Sequence, residues 1–458
     1  MIQIQNSKDV ESEFYNGRNF GDSLKVVEDV LKDVQANGDA AVKKYTRQFD
    51  VSCPAVMEIP MEELKQCADE LKAENPELYE AICYSHDMAL KFAKKQCECF
   101  TDFEVELDQG IFTGQKTIPV ERAGVYVPAG RFALVSTVVM TVTPAVAAGV
   151  KEIILCTPPR VHPSQKEDAS LKNLGTPGNC FEGGLPFADK NILAAAYICG
   201  VTKAFACGGS QAVAALAFGT ESIPKVDVIV GPGNKFVAEA KKLVYGTCGI
   251  DMVAGPTEVF IVADESCDAE WVAADLLAQA EHDIVAQPIM ATNSMEVAKK
   301  VQAEIERQLA LTNNFKTASS SVENCGKIIV TETLEEAVEL ANKKAPEHLE
   351  LAMEDSPLRE KLIGMCRNYG SLFIGHNAAE VFGDYAAGLN HTLPTSGSAR
   401  FTGGLSVRMF LKTTTTLRVD PNGSGAKKSA QMSGILGDAE GLECHAKAAR
   451  IRIGEKIK

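Results

Sequence analysis

The sequence contains no apolar run long enough to cross a membrane, which excludes a transmembrane helix. It also has no excess of basic charge. A formal net charge of -15 repels both nucleic acid and anionic membrane surfaces, so neither is an expected partner and chemistry on a small molecule is the default. The first residues, Met1-Ile-Gln-Ile-Gln-Asn-Ser-Lys-Asp, lack a basic stretch followed by an apolar block. Neither a secretory nor a transit peptide is therefore expected, and a cytoplasmic address follows. The fourteen cysteines are scattered, with Cys97-Glu-Cys99 the only close pair, which is too tightly spaced for a structural zinc knuckle and has no second pair to match it. They read as reduced core thiols. Two patterns are missing as well. Without His-Glu-x-x-His a zinc-peptidase reading weakens, and without Gly-x-Gly-x-x-Gly any nucleotide site has to be sought in less regular loops.

What is present is a chain of 458 residues, 45% hydrophobic and 23% charged, long enough for two or three globular domains. From Leu24 to about Phe100 apolar residues recur every three to four positions, as in Leu24, Val27, Val30 and Leu31, which predicts a helical N-terminal region. Short apolar strands follow at 124–128, 152–156, 204–206, 226–230 and 259–263, separated by helical stretches. A second alternating series runs from Ala269 to Ile374. The fold class expected is α/β, with two Rossmann-like parallel-sheet domains covered on both faces. The segment 158–189, with five prolines and little periodicity, reads as a long surface loop holding a solvated His162. After Arg408 a polar Thr run, a Gly/Ser turn and a helix over 429–449 suggest a small tail domain.

Several residues can carry chemistry, each with an ordinary alternative. Gly231-Pro-Gly-Asn234 and Cys207-Gly-Gly-Ser-Gln211 both follow strands and open helices, where backbone amides can meet a phosphate or simply turn the chain. Gln279 and His282, three apart at a helix end, can share a metal ion, or the imidazole can merely answer the helix dipole. Pro346 ends the preceding helix near Lys344, leaving Glu347-His348 at a loop-to-strand junction, either as base and water activator or as an exposed pair. Asp384 lies in a glycine-flanked loop that suits a carboxylate ligand or a plain turn, and Glu440 and His445, alone, read as solvated.

Eight blocks in order, among them Glu121-Arg-Ala-Gly-Val-Tyr126, Gly231-Pro-Gly-Asn234, Ala278-Gln-Ala-Glu-His282, Ala345-Pro-Glu-His348, Gly383-Asp384 to Gly397 and Ala439-Glu440 to Ala446, resemble the histidinol dehydrogenases over residues 20 to 450. The resemblance implies a zinc- and NAD-dependent, four-electron oxidation of L-histidinol to L-histidine through a bound aldehyde, the last steps of histidine biosynthesis. It implies that Gln279, His282, Asp384 and His445 ligate Zn2+, with His445 supplied by the partner subunit of an intertwined homodimer. Tyr126, Gln211 and Asn234 would contact NAD. Thr257, Gln279, His282, His348, Asp384, Glu440 and His445 would contact substrate, and Glu347 and His348 would be catalytic. The expected organisation is an arm at 1–20, a discontinuous first α/β domain at 21–123 and 258–395, an NAD-binding second domain at 124–257 with the 158–189 insertion, and a tail at 396–458.

Two departures stand out: Thr257 replaces a serine common in the family, keeping the hydroxyl and adding a methyl, and the 158–189 insertion is long. No implied ligand or catalytic position is missing. A relative acting on a sulfonated diol is disfavoured by Glu440, whose charge suits an amine. A zinc hydrolase that binds no nucleotide, and an acidic binding protein with neither activity nor metal, are the readings from other classes.

Overall fold

Nearly unbroken Val/Ile/Leu/Ala runs make the strands, because a parallel strand buried on both faces has no solvent side to alternate with. In the computed structural model, which describes residues 2–15, 23–129, 133–165 and 179–455, these runs build two six-stranded sheets. In one, Gln3–Asn6, Lys327–Val330, Gln287–Thr292, Glu258–Ala263, His348–Ala352 and Ser371–Ile374 lie side by side in that order, all parallel. In the other the order is Gly249–Ile250, Val228–Val230, Arg122–Tyr126, Glu152–Thr157, Lys203–Ala206 and Glu58–Ile59, parallel except for the last. The two-sheet α/β expectation holds.

The chain divides into two units, one formed by residues 1–94 and 121–410 and holding both of these sheets, the other by 95–120 and 411–458. This differs from the expected partition in three ways. Two of the N-terminal helices do not join the sheet containing Glu258–Ala263, whereas helix Pro76–Cys97 does reach its side of the fold, Ser85 Oγ donating to the Tyr385 carbonyl. Helix Leu24–Phe49 instead packs on helix Gly209–Phe218 and helix Met61–Glu74 on Lys190–Cys199, beside the Arg122–Tyr126 sheet. The reason is complementary shape: Val27, Val30, Leu31 and Val34 cover a helix whose buried face is mostly alanine and so admits close approach. Within the expected 1–20 arm, Gln3–Asn6 is a strand on the sheet edge that buries Ile2.

The third difference concerns the tail. Thr413 to Thr416 belong to the strand Leu411–Val419, which pairs antiparallel with Ile111–Pro119, itself paired with Phe103–Asp108. Threonine is a β-former, and a polar strand with both faces wet gives no apolar signal. The expected 429–449 helix is a hairpin of Ser424–Ala439 and Glu443–Ile451, broken where Gly441 takes φ +73°.

Part of the 158–189 insertion, residues 166–178, lies outside the described residues. Its flanks are tied down: Phe181–Glu182 pairs with Ser52–Cys53. His162 is half-buried rather than solvated, with Nε2 3.4 Å from Glu63 Oε1 and its ring edge-on to Phe187.

Candidate active site

Parallel pairing sets Val259 beside His348, so the amino ends of Glu258–Ala263 and His348–Ala352 come together and bring Thr257, Glu258, Glu347 and His348 into one cluster. Helix Leu334–Lys344 stops where expected, but Ala345 leaves it through the left-handed region at φ 55°, fully buried. A non-glycine residue there carries about 1–2 kcal/mol of strain. That turn delivers Glu347 and His348 into the interior, where they are only 6% and 3% exposed, so they are not the surface pair their spacing also allowed.

His348 Nδ1 lies 3.3 Å from the Glu258 carbonyl, which can only accept, so Nδ1 carries the proton and Nε2 is the basic nitrogen. Nε2 lies 3.3 Å from Asp384 Oδ1, and Nδ1 is 3.7 Å from Glu380 and 3.8 Å from Glu347. Burial alone would lower this imidazole, but Glu347, Asp384 and Glu380 outweigh it and raise it to about 10, well above the near-neutral value expected of an unperturbed base. Burial pushes Glu347 up to about 7 against the pull of His348, Thr257 and the Glu258 N–H. Asp384 moves down: burial opposes ionisation, and the His348 hydrogen bond with the charges of His348, His391 and His282 wins.

Gln279 ends helix Ala269–Ala280, and His282 follows just past its terminus. Helix Glu380–Tyr385, which bears Asp384, packs against that helix. His282, Asp384, Glu281, Glu380 and Tyr385 line a cavity of about 890 Å³. Of the four expected zinc ligands the fold thus brings Gln279, His282 and Asp384 together. His445, with Glu440, sits exposed on the helical hairpin of the second unit. Among the described residues no three His, Cys, Asp or Glu side chains form a metal-binding group by themselves. One oxygen nevertheless awaits a partner: Gln279 Oε1 is buried without a hydrogen bond, whereas Asp384 Oδ1, also buried, has His348 Nε2 at 3.3 Å. Such an atom is costly unless something else binds it, and an amide oxygen, a carboxylate and an imidazole suit Zn2+.

The other sheet offers its carboxyl edge, where open α/β sheets bind ligands. A cavity of about 700 Å³ there is lined by Tyr126, Gln211 and Asn234, all three expected cofactor contacts, together with Phe49, Asp50 and Arg160. The Asn234 side-chain oxygen Oδ1 caps helix Lys235–Val244 by accepting from Phe236 N and Val237 N, at 3.0 and 3.2 Å. Gly231, at φ +116°, lies so near the Tyr126 carbonyl that a Cβ would collide with it. Asp251 accepts the Gly231 N–H at 2.8 Å and pairs with the buried Lys241, fixing the loop. Gln211 Oε1 is buried and unpartnered, so the cavity has the size and an acceptor for a dinucleotide. Leu134 lines both cavities.

The family model for histidinol dehydrogenase matches residues 16–175 and 176–453. The chain belongs to the histidinol dehydrogenase family. It is an oxidoreductase. Histidinol dehydrogenase of Aquifex aeolicus is 43% identical over 430 residues, 93% of this chain and 92% of that one. Histidinol dehydrogenase of Prochlorococcus marinus is 39% identical over 98% of this chain and 96% of its own. Among solved structures, histidinol dehydrogenase from Elizabethkingia anophelis superposes with a TM-score of 0.86 at 32% identity, covering 99% of this chain and 98% of that one.

In this histidinol dehydrogenase fold, sequence reasoning missed Glu258, Glu380 and His391. Glu258 carries two buried hydrogen bonds, from Gln287 at 3.0 Å and Lys344 at 3.1 Å, but sits inside an apolar strand that gave no reason to single it out. Glu380 was findable: it stands four residues before Asp384, one helical turn away. His391 falls within the block Gly383 to Gly397, and its Nε2 is buried without a partner.

Proposed function

We propose that this enzyme oxidises L-histidinol to L-histidine in two NAD-dependent steps through bound L-histidinaldehyde, completing histidine biosynthesis. The observation that carries this is the convergence of a buried Glu347–His348 pair with Asp384, which His348 Nε2 contacts and which lines a cavity of about 890 Å³, and with the unpartnered Gln279 Oε1, while Leu134 lines both that cavity and the Tyr126–Gln211–Asn234 cavity. Gln279, His282, Asp384 and, from a second copy of the chain, His445 would hold Zn2+. Bound there, the ion would orient the substrate and offset the charge of Asp384, one of the three carboxylates, with Glu347 and Glu380, that raise His348.

His348 Nε2 then removes the hydroxyl proton while a hydride leaves the carbinol carbon for NAD, giving the aldehyde. Glu347 takes a proton from water as its oxygen adds to the aldehyde, and protonated His348 returns its proton to the aldehyde oxygen, which completes the hydrate and restores the base. The hydrate loses its second hydride to a second NAD as His348 again accepts the hydroxyl proton. One alcohol, one water and two NAD+ thus yield one carboxylate, two NADH and three protons. Thr257 borders the substrate, and Glu440 would meet its cationic amine. Met432, Ile435 and Leu436, exposed on one helical face of the second unit, support a homodimer by giving it an apolar surface to cover. A small, polar substrate and a net charge of -15 fit a cytoplasmic enzyme with no nucleic-acid or membrane partner.

Chelation tests the metal assignment. Stripping the protein with a chelator should abolish NADH formation from histidinol and added Zn2+ should restore it. Full activity in the stripped protein refutes the zinc site.

A further inference from the structure

Thr257 stands immediately before strand Glu258–Ala263, and its carbonyl accepts the Gln287 N–H at 3.0 Å, so its position is set by the sheet. Its hydroxyl lies within hydrogen-bond reach of two groups, Gln279 Nε2 and Glu347 Oε2. Glu347 Oε2 also accepts the Glu258 N–H at 3.0 Å. Gln279 is 1% exposed and Glu347 is 6%, so water does not compete for these contacts.

A hydroxyl has one proton, and donor chemistry orders the chain. An ionised carboxylate only accepts, so the Thr257 proton points at Glu347. The Thr257 oxygen must then accept from Gln279, and only the amide nitrogen can donate. Gln279 Oε1 is thereby turned the other way, where it is buried and has no partner. An unconstrained glutamine presents either its oxygen or its NH2, and only the oxygen can bind a cation.

We propose that Thr257 is a positioning residue whose hydroxyl fixes the carboxamide of Gln279 with its oxygen toward the cation and ties that ligand to the water-activating carboxylate of Glu347. This rests on the assignment of Gln279 as a zinc ligand. It deepens that assignment and limits the role the family resemblance gives Thr257. With its only proton committed to Glu347, the hydroxyl can offer the substrate no more than an acceptor. The additional methyl, relative to serine, restricts χ1 and holds the hydroxyl in place. The arrangement is an outer partner that orients a metal ligand, and the loss of such partners weakens metal binding about 10- to 100-fold.

The test measures Zn2+ affinity of the full-length, chelator-stripped protein without substrate, by competition with a chromophoric chelator. Thr257→Val should bind Zn2+ about 10- to 100-fold more weakly than the wild type, and Thr257→Ser, which keeps the hydroxyl, within about threefold of it. If the valine variant fails to fold by circular dichroism, Thr257→Ala is expected to show the same loss. Wild-type affinity in a folded variant lacking the hydroxyl overturns the proposal, and so does an equal loss in Thr257→Ser, which would assign the effect to packing. A contact made only with substrate would leave these affinities unmoved. If the wild type itself binds no Zn2+, the metal assignment fails and this proposal with it, an outcome distinct from the other two.

Discussion

His348 holds its Nδ1 proton on the Glu258 carbonyl and turns Nε2 toward Asp384, whereas Glu347 faces Thr257 and the Glu258 N–H. In the proposed mechanism the two side chains serve different steps. His348→Asn is expected to slow both oxidations by about 10²-fold or more, the usual scale for a lost general base. Glu347→Gln is expected to slow mainly the conversion of histidinaldehyde. Single-turnover kinetics started from the alcohol and from the aldehyde separate the two, and equal, negligible losses would refute the roles. Asp50, in the cofactor cavity, gives a second prediction at this scale. Burial raises its carboxyl to about 7, against the pull of Arg160. An acid whose folded pKa exceeds its unfolded value stabilises the fold below the unfolded value, and loses that contribution as pH rises through the folded one. The window here runs from 3.8 to about 7. Asp50→Asn should therefore melt higher than the wild type at pH 8, and the gain should vanish near pH 4. A pH-independent difference would contradict the argument.

Among the elements, the central strands of both sheets were readable because most are short, nearly continuous apolar runs, whereas Glu58–Ile59 and Gly249–Ile250 at the ends of one sheet are too short to show a pattern. The helices between them were readable from their period. The active-site junction was only half readable. Pro346 announced the end of helix Leu334–Lys344, but its left-handed exit at Ala345, and the burial that follows, depend on where the neighbouring strand lies. Glycine takes that conformation without the Cβ clash, so Ala345→Gly should stabilise the protein by up to about 1 kcal/mol and raise the melting temperature. A lower melting temperature would mean that the alanine methyl, fully buried, contributes more packing than its backbone costs. The unreadable elements share a cause. Gln3–Asn6 and Leu411–Val419 are largely polar edge strands, and Phe103–Asp108 alternates apolar with acidic residues yet is exposed on both faces; their pairing partners, up to 324 residues away, make them strands.

At the scale of the whole molecule, one sheet lends the amino edge of its strands and the other its carboxyl edge. Glu347 and His348, and the Tyr126–Gln211–Asn234 cavity, are thereby served by different sheets. Gln279, His282 and Asp384 meet within one unit, and Glu440 and His445 belong to the other. Spacing could not reveal this division; the ordered family blocks named all five residues without placing them. If His445 acts in a second copy, the protein should sediment at twice 49.1 kDa. Co-expressing Gln279→Ala with His445→Ala, each inactive alone, should then restore about a quarter of wild-type activity, since half of the dimers would carry one intact site of two. Mixed preparations as inactive as their components would place His445 in the site of its own chain.

The central claim is that one site carries an alcohol all the way to a carboxylate. The most direct measurement is the yield of NADH and histidine from a limiting amount of histidinol with excess NAD and zinc-loaded enzyme. Two NADH and one histidine per histidinol, with no free aldehyde trapped by a carbonyl reagent, is the predicted result. One NADH per histidinol with aldehyde released, or no NADH at all, would contradict it.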